Sequence, residues 1–220
     1  RRIKLSVDER GARLTLPPRA SLQMGDQFLQ QHRGWIAEQM AGYQPGNLLP
    51  PLVPGEAGAL PLRGELHPVR WQVGRFTHVT VGAEGICIHH TSRGGDASLR
   101  RALREFYEAQ MRADIGTWLP THLRGLPRAP RQVRLKQMSS QWGSLAPDGT
   151  MALDLSLVIA RPSAFEYVLV HELCHLLQAN HSPAFWTEVE SRFPGWQAER
   201  DYFHREGRRL KATMRQLLQP

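Results

Sequence analysis

The chain has 220 residues, 41% hydrophobic and 22% charged, with a formal net charge of +8. That balance supports a globular protein with its own core and excludes general disorder. No apolar run approaches the ~20 residues of a bilayer-crossing helix, no apolar signal segment follows the charged N-terminus, and the two cysteines make no disulfide framework. The expectation is a cytoplasmic protein with no membrane partner. Each half of the chain carries 14 Lys+Arg against 10 Asp+Glu, almost all of the basic residues being arginine, so a nucleic-acid partner is only weakly supported.

Ile3, Leu5 and Val7 alternate with polar residues, Glu9-Arg10-Gly11 signals a turn, and Leu14 and Leu16 alternate again before Pro17-Pro18. This predicts a β-hairpin. Ser21 can then cap one amphipathic helix to about Tyr43, its face marked by Phe28, His32, Trp35, Ile36 and Met40. Residues 44–61, rich in proline and glycine, read as a linker. Strands are expected at Val69 to Val73 and Val79 to His89, with Gly82 and Gly85 kinking the second or marking a turn within it.

A long helix should run from Asp96 or Ser98 to about Trp118, with Leu99, Leu103, Phe106 and Gln110 on its core face and Pro120 helping to end it. Val133 to Met138 and Met151 to Leu157 read as a hairpin with an elaborated loop that includes Pro147-Asp148-Gly149. In the second strand Met151, Leu153, Leu155 and Leu157 face inward. Ala152, Asp154 and Ser156 face outward, where an extended peptide substrate could lie along the strand. The expected division is residues 1–95, a hairpin and helix module with the linker and a small sheet, and residues 96–220, the catalytic region.

Pro162 suits a first helical turn and Ser163-x-x-Glu166 a capping box, so a helix runs through His171-Glu172-Leu173-Cys174-His175. At 100° per residue the two histidines project only about 40° apart and one turn along, which lets both imidazoles meet one ion. Glu172 flanks that ion and can take a proton from its water as general base. A third ligand is required for a catalytic zinc site with an open position. On a continuous helix His181 would lie roughly 15 Å beyond His171. The helix is therefore expected to turn at Asn180 and restart at Ser182-Pro183, bringing His181 back over the site, with His204 as the next candidate. Cys174 reads as a reduced buried thiol, Trp142 as a candidate for the cleft lining or the core, and the basic residues of the C-terminal helix, Lys211 among them, as solvated.

The segment His171 to Trp186, together with Ser140-Gln141-Trp142-Gly143-Ser144 and Tyr167-Val168-Leu169-Val170, resembles the YgjP-like metal-dependent hydrolases, relatives of the SprT-like metalloproteases. The N-terminal hairpin and its following helix are similar to that family too. The resemblance implies zinc as the ion, with His181 matching the family's third ligand. The chain departs from the family's usual Arg-Trp-Gly-Ser-Cys at Gln141 and Leu145, and residues 44–61 look longer than usual. The expected fold is α+β and zincin-like, a small antiparallel sheet packed on the metal-binding helix. The expected function is a zinc-dependent metallopeptidase acting on a peptide or protein. A nucleotide phosphoanhydride hydrolase and a DNA-associated protein with a structural metal are the alternatives, and the intact Glu172 argues against the last.

Overall fold

The N-terminal alternation forms the expected hairpin: β1 (Lys4–Asp8) pairs antiparallel with β2 (Gly11–Thr15), Leu5 opposite Leu14 and Val7 opposite Ala12. The computed structural model describes residues 3–8, 11–41, 49–92 and 94–219, so Glu9, Arg10 and Tyr43 lie outside the described residues. Ser21 caps α1 (Leu22–Gln31), its Oγ accepting the Met24 N–H at 3.2 Å. The single expected helix is interrupted at His32, after which α2 runs over Arg33–Ala41. The His32 ring stacks on Phe28 and its Nδ1 donates to the Phe28 carbonyl at 2.8 Å, a local bond that competes with regular helix propagation. Gly25 of α1 lies against Leu14 and Leu16 of the hairpin. These elements form one compact unit, residues 1–49, and residues 50–220 form another.

In the second unit, β3 (Gly58–Leu62) occupies the end of the expected linker, with Leu60 and Leu62 wholly buried. Arg63 and Gly64, both at positive φ, turn it antiparallel into β4 (Glu65–Val73). The Arg63 and Gly64 N–H groups reach the Val158 and Ile159 carbonyls, and the Arg63 guanidinium grips Asp114 through Nε at 3.0 Å and Nη2 at 2.7 Å. β5 (His78–Gly82) and β6 (Gly85–His90) form an antiparallel pair, so the two glycines flank a turn rather than a kink. The sheet order is β3-β4-β6-β5, β4 and β6 being parallel.

Helix α3 (Asp96–His122) packs on β5, with Leu103, Phe106, Tyr107 and Met111 buried, and the Tyr107 hydroxyl donates to the Pro61 carbonyl at 3.0 Å. The expected division at 95/96 thus falls inside the second unit. α3 continues through Pro120 and ends two residues later at His122, whose Nε2 is tied to Glu166 Oε1 at 2.7 Å.

Beyond α3 come β7 (Gln132–Lys136), β8 (Gly143–Leu145) and β9 (Thr150–Asp154), arranged β7-β9-β8. Two expectations change here. The sheet is mixed rather than antiparallel, since β7 runs parallel to β9, while β8, missed in the sequence, hairpins back onto β9 through a turn in which Asp148 accepts the Thr150 N–H. The strand also stops at Asp154, and residues 155–159 form a 3-10 turn in which the Ser156 N–H bonds the Asp154 carboxylate. Both edges of β9 are occupied and Ala152, Asp154 and Ser156 are buried, so β9 cannot carry a substrate.

Three helices complete the unit: α4 (Pro162–Cys174), α5 (Pro183–Arg192) and α6 (Trp196–Leu218). Arg161 rather than Ser163 is the N-cap of α4, because Pro162 already fills the first helical position; Glu166 is left to pair with His122. On α6 Lys211 is not solvated. Its ammonium lies 3.1 Å from Asp154 Oδ2, donates to the Met138 and Gln141 carbonyls at 2.8 Å each, and faces the Trp142 ring at 4.3 Å. Asp154 in turn accepts the Met138 N–H at 2.6 Å and the Ser156 hydroxyl. Removing one member of a buried, hydrogen-bonded pair strands the other charge, so Lys211→Met should cost about 3–5 kcal/mol of stability. Urea unfolding tests this, and an unchanged midpoint would show that the pair carries no stability.

Candidate metal centre

The walls of the site are α4, the loop and edge strand that end in β8, and the start of α6. Residues 164–174 of α4 are buried apart from Glu166 and His171, which are partly exposed, so the helix is enclosed on most of its surface and opens within the motif at His171. Regular helix ends at Cys174, six residues before the expected turn at Asn180. His175, Leu176 and Leu177 continue in tight turns whose N–H groups bond the carbonyls of Glu172, Leu173 and Cys174. Asn180 does not adopt the left-handed conformation assumed for it. The cause is local: the His175 side chain folds over the end, its Nδ1 donating to the Gln178 carbonyl at 3.0 Å, and the chain is drawn round early. The restart occurs as expected, with Pro183 opening α5 and the Ser182 hydroxyl accepting the Phe185 N–H.

This turn brings His181 back. His171, His175 and His181 each present one ring nitrogen within 4.8 Å of the others, and Nε2 of His171 stands 3.0 Å from Nε2 of His181. Beneath all three lies Phe185, fully buried, its ring centroid 4.6–4.9 Å from theirs. Trp186 stacks on His181 at 5.8 Å.

The donor set fits a divalent cation. Because His175 Nδ1 must donate to a carbonyl, its Nε2 keeps a free lone pair, the usual outer-shell device for orienting a ligating imidazole. Two facing Nε2 atoms at 3.0 Å repel unless a proton or a cation lies between them. Burial, reinforced by the neighbouring His175 and His181, holds the His171 pKa down to about 3, so its ring is neutral at ordinary pH. Burial and His175 lower His181 as well. His171 Nδ1 is buried with no hydrogen-bond partner among the described residues, which leaves that ring fixed by packing against Tyr167, Phe185 and Trp186.

Glu172 is buried beside the cluster, and burial raises its pKa to about 8. It has room only because residue 143 is glycine: a Cβ there would lie 2.6 Å from Glu172 Cγ and Oε1. Trp142, one residue earlier, lines the cleft and is also seated against the core. It packs on Phe203 at 4.3 Å, and its ring would touch a Cβ at Gly207 at 2.8 Å. Phe203, Gly207 and Lys211 recur every four residues and make one stripe of α6, the seat of Trp142. A glycine in the middle of an otherwise good helix was the signal for that seat. The cleft, about 690 Å³, is also lined by Tyr167, Arg128 and Arg200, to which the sequence gave no role, and by His204, the reserve candidate for the third ligand. Burial keeps Tyr167 a neutral phenol, its pKa raised to about 12. Cys174 is a buried free thiol, raised to about 11 by burial. Gln141 and Leu145 both border the cleft.

Among known families, a profile described as YgjP-like, metallopeptidase domain, matches residues 1–206. One similar solved structure is the metallopeptidase zymogen of Pyrococcus abyssi abylysin, 25% identical, with 44% of this chain and 90% of that one covered at a TM-score of 0.33. None of the curated proteins matches the chain.

A carboxyl whose pKa is near 4.5 unfolded and about 8 folded holds its proton longer in the native state, so it lowers stability as pH rises across that window. In chelator-treated protein, Glu172→Gln should therefore gain stability over the parent as pH goes from about 4.5 to about 8, with little difference at the acid end. Thermal melts of both proteins across pH test this; parallel curves would mean that Glu172 is not held in its acid form.

Proposed function

We propose that this chain, which belongs to the YgjP-like family of metallopeptidase domains, is a zinc-dependent peptidase with His171, His175 and His181 as ligands and Glu172 as general base. The carrying observation is the convergence of three imidazoles beside one buried carboxylate at the floor of an open cleft. Three neutral imidazoles suit zinc and leave a fourth position for water. A cation held there would act as a Lewis acid on that water and on the scissile carbonyl, and would draw the Glu172 pKa down from its raised value. Glu172 then takes the water's proton as oxygen attacks, and returns it to the leaving amine. Tyr167, neutral at the cleft wall, is a hydrogen-bond donor available to the carbonyl oxygen.

The substrate strand moves from β9 to β8. Among the described residues β8 is the outer strand of its sheet, and it borders the cleft with Gly143 against Glu172. An extended peptide pairing with that edge lies beside the base, main-chain hydrogen bonds giving affinity and side-chain pockets giving selectivity. We read the pairing of a motif helix with this edge strand as zincin-like. A structural-metal role would leave a buried base and an open cleft without use. No helix among the described residues is long and apolar enough to cross a membrane.

One divalent ion should bind per chain, and His171→Ala or His175→Ala should abolish binding, while His181→Ala should weaken it without unfolding the protein. Calorimetric zinc titration of chelator-treated protein measures each, and uptake unchanged by these substitutions would remove the site. Glu172→Gln should keep the metal and lose about 10²–10⁴-fold in cleavage of denatured protein substrates. Glu172-dependent turnover of nucleoside triphosphates without peptide cleavage would replace this reading with the phosphohydrolase one.

A further inference from the structure

Resting on the peptidase reading, we propose that the cleft selects acidic peptides, with Arg128 and Arg200 receiving Asp or Glu side chains of a substrate strand laid along β8.

The two arginines stand on separate elements. Arg128 belongs to the loop between α3 and β7, and its guanidinium lies 3.4 Å from the Pro147 carbonyl, at the turn that follows β8. Arg200 is on the second turn of α6, its guanidinium 4.9 Å from the centre of the Trp196 ring and close enough to Tyr167 for its charge to bear on the phenol. Both border the cleft, both are exposed, and neither makes an ion pair among the described residues. Of the other carboxylates on α5 and α6, Glu199 pairs with Arg161, Glu188 with Arg192 and Glu206 with Arg209, while Glu190 and Asp201 do not line the cleft. Among the described residues that line the cleft the sole carboxylate is Glu172, which is buried and, on the peptidase reading, committed to the base role.

A lysine or arginine on the substrate therefore meets two like charges and no free partner. An aspartate or glutamate finds a planar guanidinium able to donate two parallel bonds. The lining also includes the apolar Trp142, Leu145, Leu176 and Phe203, which suits a chain of mixed side chains. Each exposed pair contributes modestly in water, so the selectivity arises from two of them acting on one extended ligand.

The test uses the zinc-loaded full chain and a set of decapeptides identical except for Asp, Gln or Lys at the residues flanking the scissile bond. The Asp peptide should exceed the Lys peptide by about tenfold or more in kcat/KM, mainly through KM, and the gap should shrink as salt rises from about 0.05 to 0.5 M. The double variant Arg128→Glu/Arg200→Glu should reverse the order, and Arg128→Lys/Arg200→Lys should keep it. In parallel, fluorescence anisotropy of labelled Asp and Lys peptides on zinc-loaded Glu172→Gln should show the same order in Kd. Cleavage of all three peptides at equal rates, an order untouched by charge reversal, or equal binding overturns the proposal while the peptidase reading stands. Failure to cleave any peptide, with Glu172-dependent nucleoside triphosphate turnover, overturns both.

Discussion

Asp154 ends β9 with its carboxylate committed on every side: to Lys211, to the Met138 and Ser156 N–H groups, and to the Ser156 hydroxyl. The Lys211 ammonium answers by holding two carbonyls of the segment leading to β8. A sheet, a 3-10 turn, a loop and the C-terminal helix therefore share one buried ion pair. Burial holds the lysine pKa below its usual value, a shift that Asp154 opposes only in part. Such a pair adds little net stability but is unforgiving of change, which makes it a device for fixing one geometry. What it fixes is the path of residues 138–142.

That path decides the site. Trp142 drops into the stripe of Phe203, Gly207 and Lys211, and the next residue, Gly143, comes so close to Glu172 that no side chain fits between them. Glu172 is thus enclosed on the β8 side by bare backbone, the same backbone whose outer edge the proposed substrate strand would meet. On the opposite side Phe185 supports the three imidazoles, so the start of α5 sets their spacing. Desolvation keeps His171 neutral and Glu172 protonated while no cation is near, a state of low charge in a buried place. A divalent ion held by the three imidazoles would reverse the preference for Glu172, linking ion and carboxyl electrostatically.

The His-Glu-x-x-His helix, the reopening at Ser182-Pro183 and the return of His181 were legible because each rests on local rules: helical periodicity, capping and the first-turn preference of proline. The N-terminal hairpin and the long helix α3 were legible on the same grounds. Residues 151–157 misled because alternating leucines look alike in a strand and in a strand followed by a 3-10 turn; the distinction lies in Asp154, whose carboxylate captures the Ser156 N–H. β8 is three residues long and carries no periodicity at all. Lys211 read as a solvated charge because its partner lies 57 positions away in the chain.

By itself, then, the sequence determined the helix that carries His171, Glu172 and His175 and the helix restart just after His181, since those depend on contacts within about one or two helical turns. Tertiary structure alone decided which strand edge is free, which glycines make room, and which arginines border the cleft. Sheet order and burial arise from contacts between distant segments, and β9 loses its edges only when β7 and β8 arrive from either side. Arg128 and Arg200 become neighbours of one cleft only after α3, β8 and α6 have packed around α4.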